Sequence, residues 1–208
     1  MDIEVTESGQ SAAPHTVGRR ALLGVGAGGA ALSLLPFLRG HAAAAADPAP
    51  PKKPTTDDVA LLGEAQQLEL TAVALYDVAI GAGGRSDTEA TAMVFMREAH
   101  EAYAQALSGL LGRAAPGQRS EKLFKALQAS FTGSPADMLE SAALLESSAV
   151  ATHTEVLAAL ESIDGSKLVA SIFINEARFS TVLADLAGMT DTSDLLVDTE
   201  QPSLVGQG

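Results

Sequence analysis

The sequence predicts an all-α protein built on an antiparallel four-helix bundle. Four long segments repeat their apolar residues at spacings of three and four, which is the pattern of a helix with one buried face. No stretch alternates apolar and polar residues, as a half-buried strand would. The connections are short within each pair of segments and long between the pairs, which favours two helical hairpins joined by one crossover.

The first pair of helices has clear start and stop signals. We expect the first helix at about 57–80, with Thr56 as its N-cap and the glycines of 81–84 ending it. The second is expected at about 87–111, because Ser86 and Glu89 form a capping box and Gly112 follows the last apolar residue.

The second pair follows a long connection that carries a short helical piece near 121–130. Ser134 is the expected N-cap of the third helix and Pro135 its first residue, and the helix continues to about residue 163. After a turn at 164–165, Ser166 is expected to cap the fourth helix, which runs to about residue 186.

The chain divides into four parts by composition. Residues 1–46 are predicted to be a targeting segment, 47–55 a linker, 56–189 the helical bundle, and 190–208 a loose, acidic C-terminal tail. Within the first part, Arg19 and Arg20 precede the apolar, glycine-rich run 21–38, and alanines at 42–46 offer cleavage sites. Paired arginines of this kind indicate a twin-arginine-type signal.

The signal predicts export to the periplasm, the cell envelope or the medium, with no integral membrane span after cleavage. An uncleaved membrane anchor is the alternative, since about 20 apolar residues span a bilayer. The net charge of −13 argues against nucleic acid as a partner. The chain has no cysteine, which excludes disulfides and thiolate metal sites. We expect a monomer or a homodimer.

One residue of a metal-ligand type lies near the middle of the inner stripe of each long helix: Glu69, His100, Glu146 and Glu176. Because these positions have similar heights in their helices, we expect the side chains to meet in one layer. Three carboxylates cannot all be ionised in a dry core without a compensating cation or shared protons. Carboxylate oxygens with an imidazole suit iron, manganese or zinc. The sequence therefore predicts a central metal site and no catalytic nucleophile.

Two further residues on the inner stripes could support the central site. His153 follows Glu146 by two helical turns, about 10 Å, so we expect it to lie too far away to share the metal and to be a core histidine. Tyr76 follows Glu69 by the same interval, and we expect it to pack in the core with its hydroxyl in contact with water.

The stretches 62–80, 95–112, 144–160 and 173–188 resemble the helices of exported bacterial ferritin-like domain proteins. The wider superfamily binds two iron or manganese ions with a glutamate on two helices and a Glu-x-x-His pair on each of the other two. By position, Glu69 and Glu146 match the lone glutamates. His100 with Tyr103, and Glu176 with Phe179, stand where the two pairs are expected.

The pattern departs from that superfamily at three positions. His100 replaces a glutamate, and Tyr103 and Phe179 replace histidines. Phe179 cannot bind a metal, whereas Tyr103 could donate a hydrogen bond to Glu69 or Glu146. Two hypotheses therefore stay open: an exported protein that binds iron or manganese at a degenerate site, with any activity being metal-dependent redox chemistry, or a non-enzymatic exported bundle that has lost an ancestral di-metal centre.

Overall fold

The computed structural model describes residues 49–198, 200–204 and 206, which contain six α-helices and no strand. The predicted all-α class is confirmed for these residues, although two short helices accompany the four long ones. The targeting segment predicted at 1–46 lies outside the described residues. The helices are α1 (Thr56–Ala82), α2 (Asp87–Leu111), α3 (Glu121–Leu127), α4 (Pro135–Ala159), α5 (Ile163–Leu186) and α6 (Thr192–Leu195).

The four long helices form two hairpins that pack against each other. α1 packs along α2, and α4 packs along α5, while α1 also contacts α4 and α2 contacts α5. The short connections within each pair make the paired helices antiparallel. None of the helices in the described part of the chain is both long enough and apolar enough to cross a membrane.

Local capping signals fixed two helix starts correctly and a third to within one residue. Ser86 with Glu89 forms the predicted capping box of α2, and Ser134 caps α4 with Pro135 in its first turn. The cap of α1 is Thr55 rather than Thr56, because Thr55 accepts from the backbone N–H of Asp58 and the Asp58 carboxylate accepts from Thr55 in return.

The boundary between α4 and α5 differs from the prediction. α4 ends at Ala159, and α5 begins at Ile163 instead of after Ser166. The first N–H groups of α5, at Ile163 and Asp164, donate to the carbonyls of Pro51 and Lys52, at 2.9 and 3.0 Å. These linker carbonyls satisfy the start of α5 in place of a side-chain cap, and capping signals near residue 166 could not reveal them.

The C-terminal segment is not loose in its described part. The backbone N–H of Asp198 donates to Ser147 at 3.3 Å, and that of Leu204 donates to Thr152 at 2.8 Å. Leu204 also packs against buried apolar residues of the bundle. Hydroxyls on α4 thus satisfy two backbone groups of this segment outside α6.

The core contains three apolar clusters, and a polar layer lies between the two larger ones. One of these two contains Leu75, Met96 and Leu183, and the other contains Leu62, Leu107 and Ile172. In α1, α2, α4 and α5 alike, the residues between the two clusters include a buried glutamate or histidine. The apolar packing of both clusters therefore holds polar side chains in a region that water does not reach.

Candidate metal centre

The structure brings the four predicted residues together inside the bundle. Glu69 from α1, His100 from α2, Glu146 from α4 and Glu176 from α5 are each at most 1% exposed. A fifth buried residue, His153 from α4, completes the group and is fully buried. These three carboxyl groups and two imidazoles form a continuous set of contacts, which we call the central layer.

The contacts within the central layer run across all four long helices. His100 Nε2 lies 3.0 Å from Glu146 Oε1, and His100 Nδ1 lies 2.7 Å from Glu69 Oε2. The other oxygen of Glu69, Oε1, lies 3.3 Å from His153 Nε2. His153 Nδ1 in turn lies 2.7 Å from Glu176 Oε2. The layer therefore has two sides that share Glu69. The His100 side consists of His100, Glu146 and Glu69, and the His153 side consists of His153, Glu176 and Glu69.

The expectation that His153 lies too far away to share the site is wrong. Side chains in a helix tilt towards its N-terminus, so His153 leans back along α4 towards Glu146. Glu176 leans towards the start of α5, which lies beside the end of α4 in an antiparallel hairpin. The two side chains approach each other and close the distance between their backbones. The signal was present in the sequence as an i, i+7 position on the inner stripe of α4.

The supporting residues also differ from their predicted roles. The Tyr76 hydroxyl is buried away from water and donates to Glu146 Oε1, so the predicted wet hydroxyl is wrong. Tyr103 makes no hydrogen bond with Glu69 or Glu146 among the described contacts; its ring packs edge-on against His100, with centroids 6.0 Å apart. Phe179 also packs edge-on against His100, at 6.2 Å.

Unpartnered atoms are concentrated in the central layer. Four of its buried polar atoms make no hydrogen bond among the described residues: Glu69 Oε1, Glu146 Oε2, Glu176 Oε1 and His153 Nε2. Two of them, Glu69 Oε1 and His153 Nε2, face each other at 3.3 Å in an ion-pair contact without hydrogen-bond geometry. Buried polar atoms are nearly always satisfied, because leaving one without a partner costs about 1–3 kcal/mol. Each of the three residues on the His153 side contributes one of these atoms.

Burial and mutual charge shift the proton affinities in the layer. Burial lowers the pKa of both imidazoles, but the neighbouring glutamates outweigh it: the pKa of His100 lies well above its usual value, and that of His153 is raised to about 9. Burial raises the pKa of Glu176 to about 7, with Glu69 and Glu146 adding to the rise and His153 opposing it. Without another cation, the layer therefore retains protons at neutral pH.

The His153 side has the donor set and spacing of a cation site. Glu69, His153 and Glu176 each offer one ligand atom, and these atoms lie within 4.8 Å of one another. Two ligands about 2.1 Å from one ion lie at most about 4.2 Å apart, so small side-chain movements would bring these three atoms onto a shared metal. Two carboxylates and one imidazole suit iron, manganese or zinc. The unpartnered atoms of this group are the ones such an ion would satisfy.

The family model for the ferritin-like domain matches residues 52–189. The match spans the four long helices and every residue of the central layer. No curated protein and no solved structure matches the chain. The family part of the resemblance seen in the sequence is confirmed, and the chain belongs to the ferritin-like domain family.

Proposed function

We propose that this protein binds one divalent transition-metal ion, iron or manganese, through Glu69, His153 and Glu176. The observation that carries the proposal is the set of three unpartnered buried atoms, one on each of these residues. The ion would neutralise the carboxylates and occupy the lone pairs that no donor in the described structure satisfies. The four long helices act as a ferritin-like four-helix bundle with one crossover, which keeps this centre dry.

The chain's own residues define what such a centre could do. When bound, iron or manganese supplies redox chemistry that carboxylates and imidazoles alone lack. Glu69 and Glu176 provide negative charge, while His153 is oriented by the contact between its Nδ1 and Glu176. His100, 2.7 Å from the second oxygen of Glu69, fixes the orientation of that carboxylate. Burial of all four side chains excludes water from the centre.

One ion per chain is the expected stoichiometry. The superfamily's second site would need ligands at positions 100, 103 and 179, and there the chain has His100, Tyr103 and Phe179. His100 holds carboxylates with both ring nitrogens, so neither nitrogen is free for a metal. An imidazolium between Glu69 and Glu146 takes the place of a second cation.

Elemental analysis of the wild type and two variants tests the proposal. The wild-type protein, purified after expression with iron and manganese supplied, is expected to contain about one metal equivalent per chain. Glu176→Gln should lower this below about 0.1 equivalent, because it removes an anionic ligand. Glu98→Gln is the matched control, at an exposed glutamate of α2 that makes no ion pair within the described part of the chain, and it should bind as the wild type does. A wild-type protein with less than about 0.1 equivalent contradicts the proposal.

A metal-free bundle is the second candidate, and the His100 side favours it. On that side nearly every buried polar atom has a hydrogen-bond partner without any metal, through contacts between His100, Glu69, Glu146 and Tyr76. If the His153 side were satisfied by protons in the same way, the protein would be a non-enzymatic bundle that retains only a polar layer. Glu176→Gln would then leave the free energy of unfolding unchanged or higher, since a neutral amide replaces a protonated carboxyl.

We also propose that the chain is exported through the twin-arginine-type signal at residues 1–46. The support is the sequence pattern of Arg19 and Arg20 before an apolar run. Replacing both arginines with lysine should retain the uncleaved chain in the cytoplasm, as measured by cell fractionation. Export of the double variant at the wild-type level would contradict this route.

A further inference from the structure

A groove on the protein surface lies between α2 and α5. Its cavity volume is about 640 Å³, which is within the range of sites for small organic molecules. Apolar side chains dominate the groove, and two of them are strongly exposed: Phe95 at 61% and Val182 at 45%. The apolar residues of the groove are Ala92, Phe95, Met96, Phe179 and Val182.

Aromatic contacts build the floor of this groove. The rings of Phe95 and Phe179 meet edge to face with centroids 6.0 Å apart. The Phe179 side chain is only 8% exposed and also packs against His100, so it separates the groove from the central layer. Aromatic rings held in this way form a rigid apolar surface, and a flat ligand could cover it with little loss of side-chain freedom.

The groove has one cationic side chain, Arg178, and this arginine makes no hydrogen bond or ion pair within the described residues. By contrast, Arg97 pairs with Asp77 and Glu101, and Arg119 pairs with Glu121. Arg85 and Arg113 also lack a carboxylate partner within the described residues, so what sets Arg178 apart is its position beside the apolar groove.

The other polar residues of the groove belong to the first turns of α2. Asp87 is at the first position of α2, where the positive end of the helix dipole offsets its charge. Thr91 donates its hydroxyl to the backbone carbonyl of Asp87 at 2.7 Å, so this hydroxyl is already used within the helix. Arg178 is therefore the group in the groove best suited to pair with a ligand's charge.

We infer that this groove binds a small amphiphilic anion. Its apolar or aromatic body would cover Phe95, Phe179 and Val182, and its carboxylate or sulfonate would pair with Arg178. A second copy of the chain fits the groove less well, because two chains that each carry a net charge of −13 repel one another. The inference does not depend on metal binding, because none of the three proposed metal ligands lines the groove.

Fluorescence titration with 8-anilinonaphthalene-1-sulfonate tests the site, followed by displacement with decanoate or 1-decanol. We expect one probe per chain and displacement by both compounds. Arg178→Gln should weaken decanoate binding about tenfold and leave decanol binding unchanged, because only the acid pairs with the guanidinium. Phe95→Ser should weaken the binding of both compounds. Glu176→Gln should bind the probe as the wild type does, which separates this result from the fate of the metal centre.

Two control variants match the test variants in chemistry but lie outside the groove. Arg113→Gln removes another exposed arginine that has no ion pair among the residues the structure describes, and Val94→Ser removes an apolar side chain of α2 that is 41% exposed. Both should bind the probe and decanoate as the wild type does. Equal losses in the controls, or equal weakening of acid and alcohol by Arg178→Gln, would overturn the inference.

Two other results would assign the groove to a different occupant and also overturn it. The first is light scattering that shows a wild-type dimer without probe binding, together with a monomeric Phe95→Ser variant. The second is co-sedimentation with phosphatidylglycerol vesicles that requires Arg178, without displacement of the probe by free decanoate. The first result would indicate self-association, and the second would indicate a membrane surface.

Discussion

The two sides of the central layer use the same residue types but satisfy them differently. On the His100 side, both ring nitrogens contact carboxylate oxygens, and the Tyr76 hydroxyl adds a donor to Glu146. On the His153 side, Nδ1 contacts Glu176, but Nε2 and one oxygen each of Glu69 and Glu176 have no hydrogen-bond partner. One unpartnered oxygen, Glu146 Oε2, remains on the His100 side.

The difference shows that burial of glutamate and histidine alone does not define a metal site. Both sides are buried to the same degree, and both carry imidazoles with a raised pKa. Only the His153 side brings polar atoms without hydrogen bonds from three residues close together. A buried cluster that already satisfies its lone pairs gains little from a cation, whereas one that leaves them open gains both charge neutralisation and ligand bonds.

The largest expected effect comes from Glu69, which both sides share. Glu69→Ala leaves two buried imidazoles without their common carboxylate, and breaking a buried charged contact of this kind costs about 3–5 kcal/mol. Chemical denaturation of the metal-free protein should show a fall of that size in the free energy of unfolding. Glu98→Ala, at an exposed position, should stay within about 0.5 kcal/mol of the wild type. A similar small change for Glu69→Ala would contradict the proposed network.

Substitutions of the two histidines should lower the metal affinity of the protein by different amounts. His153→Leu removes a proposed ligand, and we expect metal affinity to fall more than about 100-fold. His100→Leu removes only a group that orients Glu69, and such a change costs about tenfold. Calorimetric titration with manganese(II) measures both. Equal losses for the two variants would show that the two sides of the layer do not differ as described.

Asp58 offers a comparison with a buried carboxylate that main-chain donors satisfy. Its oxygens accept from the N–H groups of Thr55, Glu161 and Ser162 at 2.8–3.0 Å. Burial alone would raise its pKa, but these donors outweigh burial and hold the pKa of Asp58 below 3.8. Because the folded pKa is lowered, the stabilisation is present above pH 3.8 and is lost as the pH falls through the folded value.

Asp58→Asn should therefore lower the free energy of unfolding by about 2 kcal/mol at pH 7, since charge-assisted hydrogen bonds are lost. The gap from the wild type should narrow as the pH falls below 3.8, where the wild-type carboxyl becomes protonated. Denaturation curves at several pH values check the sign. A gap that widens in acid would contradict this account of Asp58.

The smallest expected effect is that of Tyr76→Phe. The variant removes one donor to Glu146 while keeping the ring that packs in the core, so we expect a loss of about 1 kcal/mol in the free energy of unfolding. Metal affinity should change less than about twofold, because Tyr76 lies on the His100 side. A large loss of metal from this variant would place the ion next to Glu146 instead.

The sequence predicted those features that depend on local patterns. Spacings of three and four located the four long helices. A capping box predicted the start of α2, and an N-cap serine followed by proline predicted the start of α4. The inner stripes also identified Glu69, His100, Glu146 and Glu176 as residues of one layer.

Features that depend on contacts between distant segments could not be predicted from local patterns. The start of α5 depends on carbonyls of the linker at Pro51 and Lys52, more than a hundred residues earlier.

The role of His153 was missed for a geometric reason. Its distance from Glu146 was measured along one helix, whereas its actual neighbours, Glu69 and Glu176, belong to two other helices. The direction in which side chains tilt in antiparallel helices decides these contacts, and backbone rise alone does not reveal it. The same limit applies to Tyr76, whose hydroxyl crosses from α1 to reach Glu146 on α4.

The most direct test of the central claim is anomalous X-ray diffraction from crystals of the protein loaded with manganese(II). The account predicts one anomalous peak per chain, lying among the side chains of Glu69, His153 and Glu176. Absence of a peak in the bundle, or a peak beside His100 and Glu146 with the imidazole displaced, would contradict it.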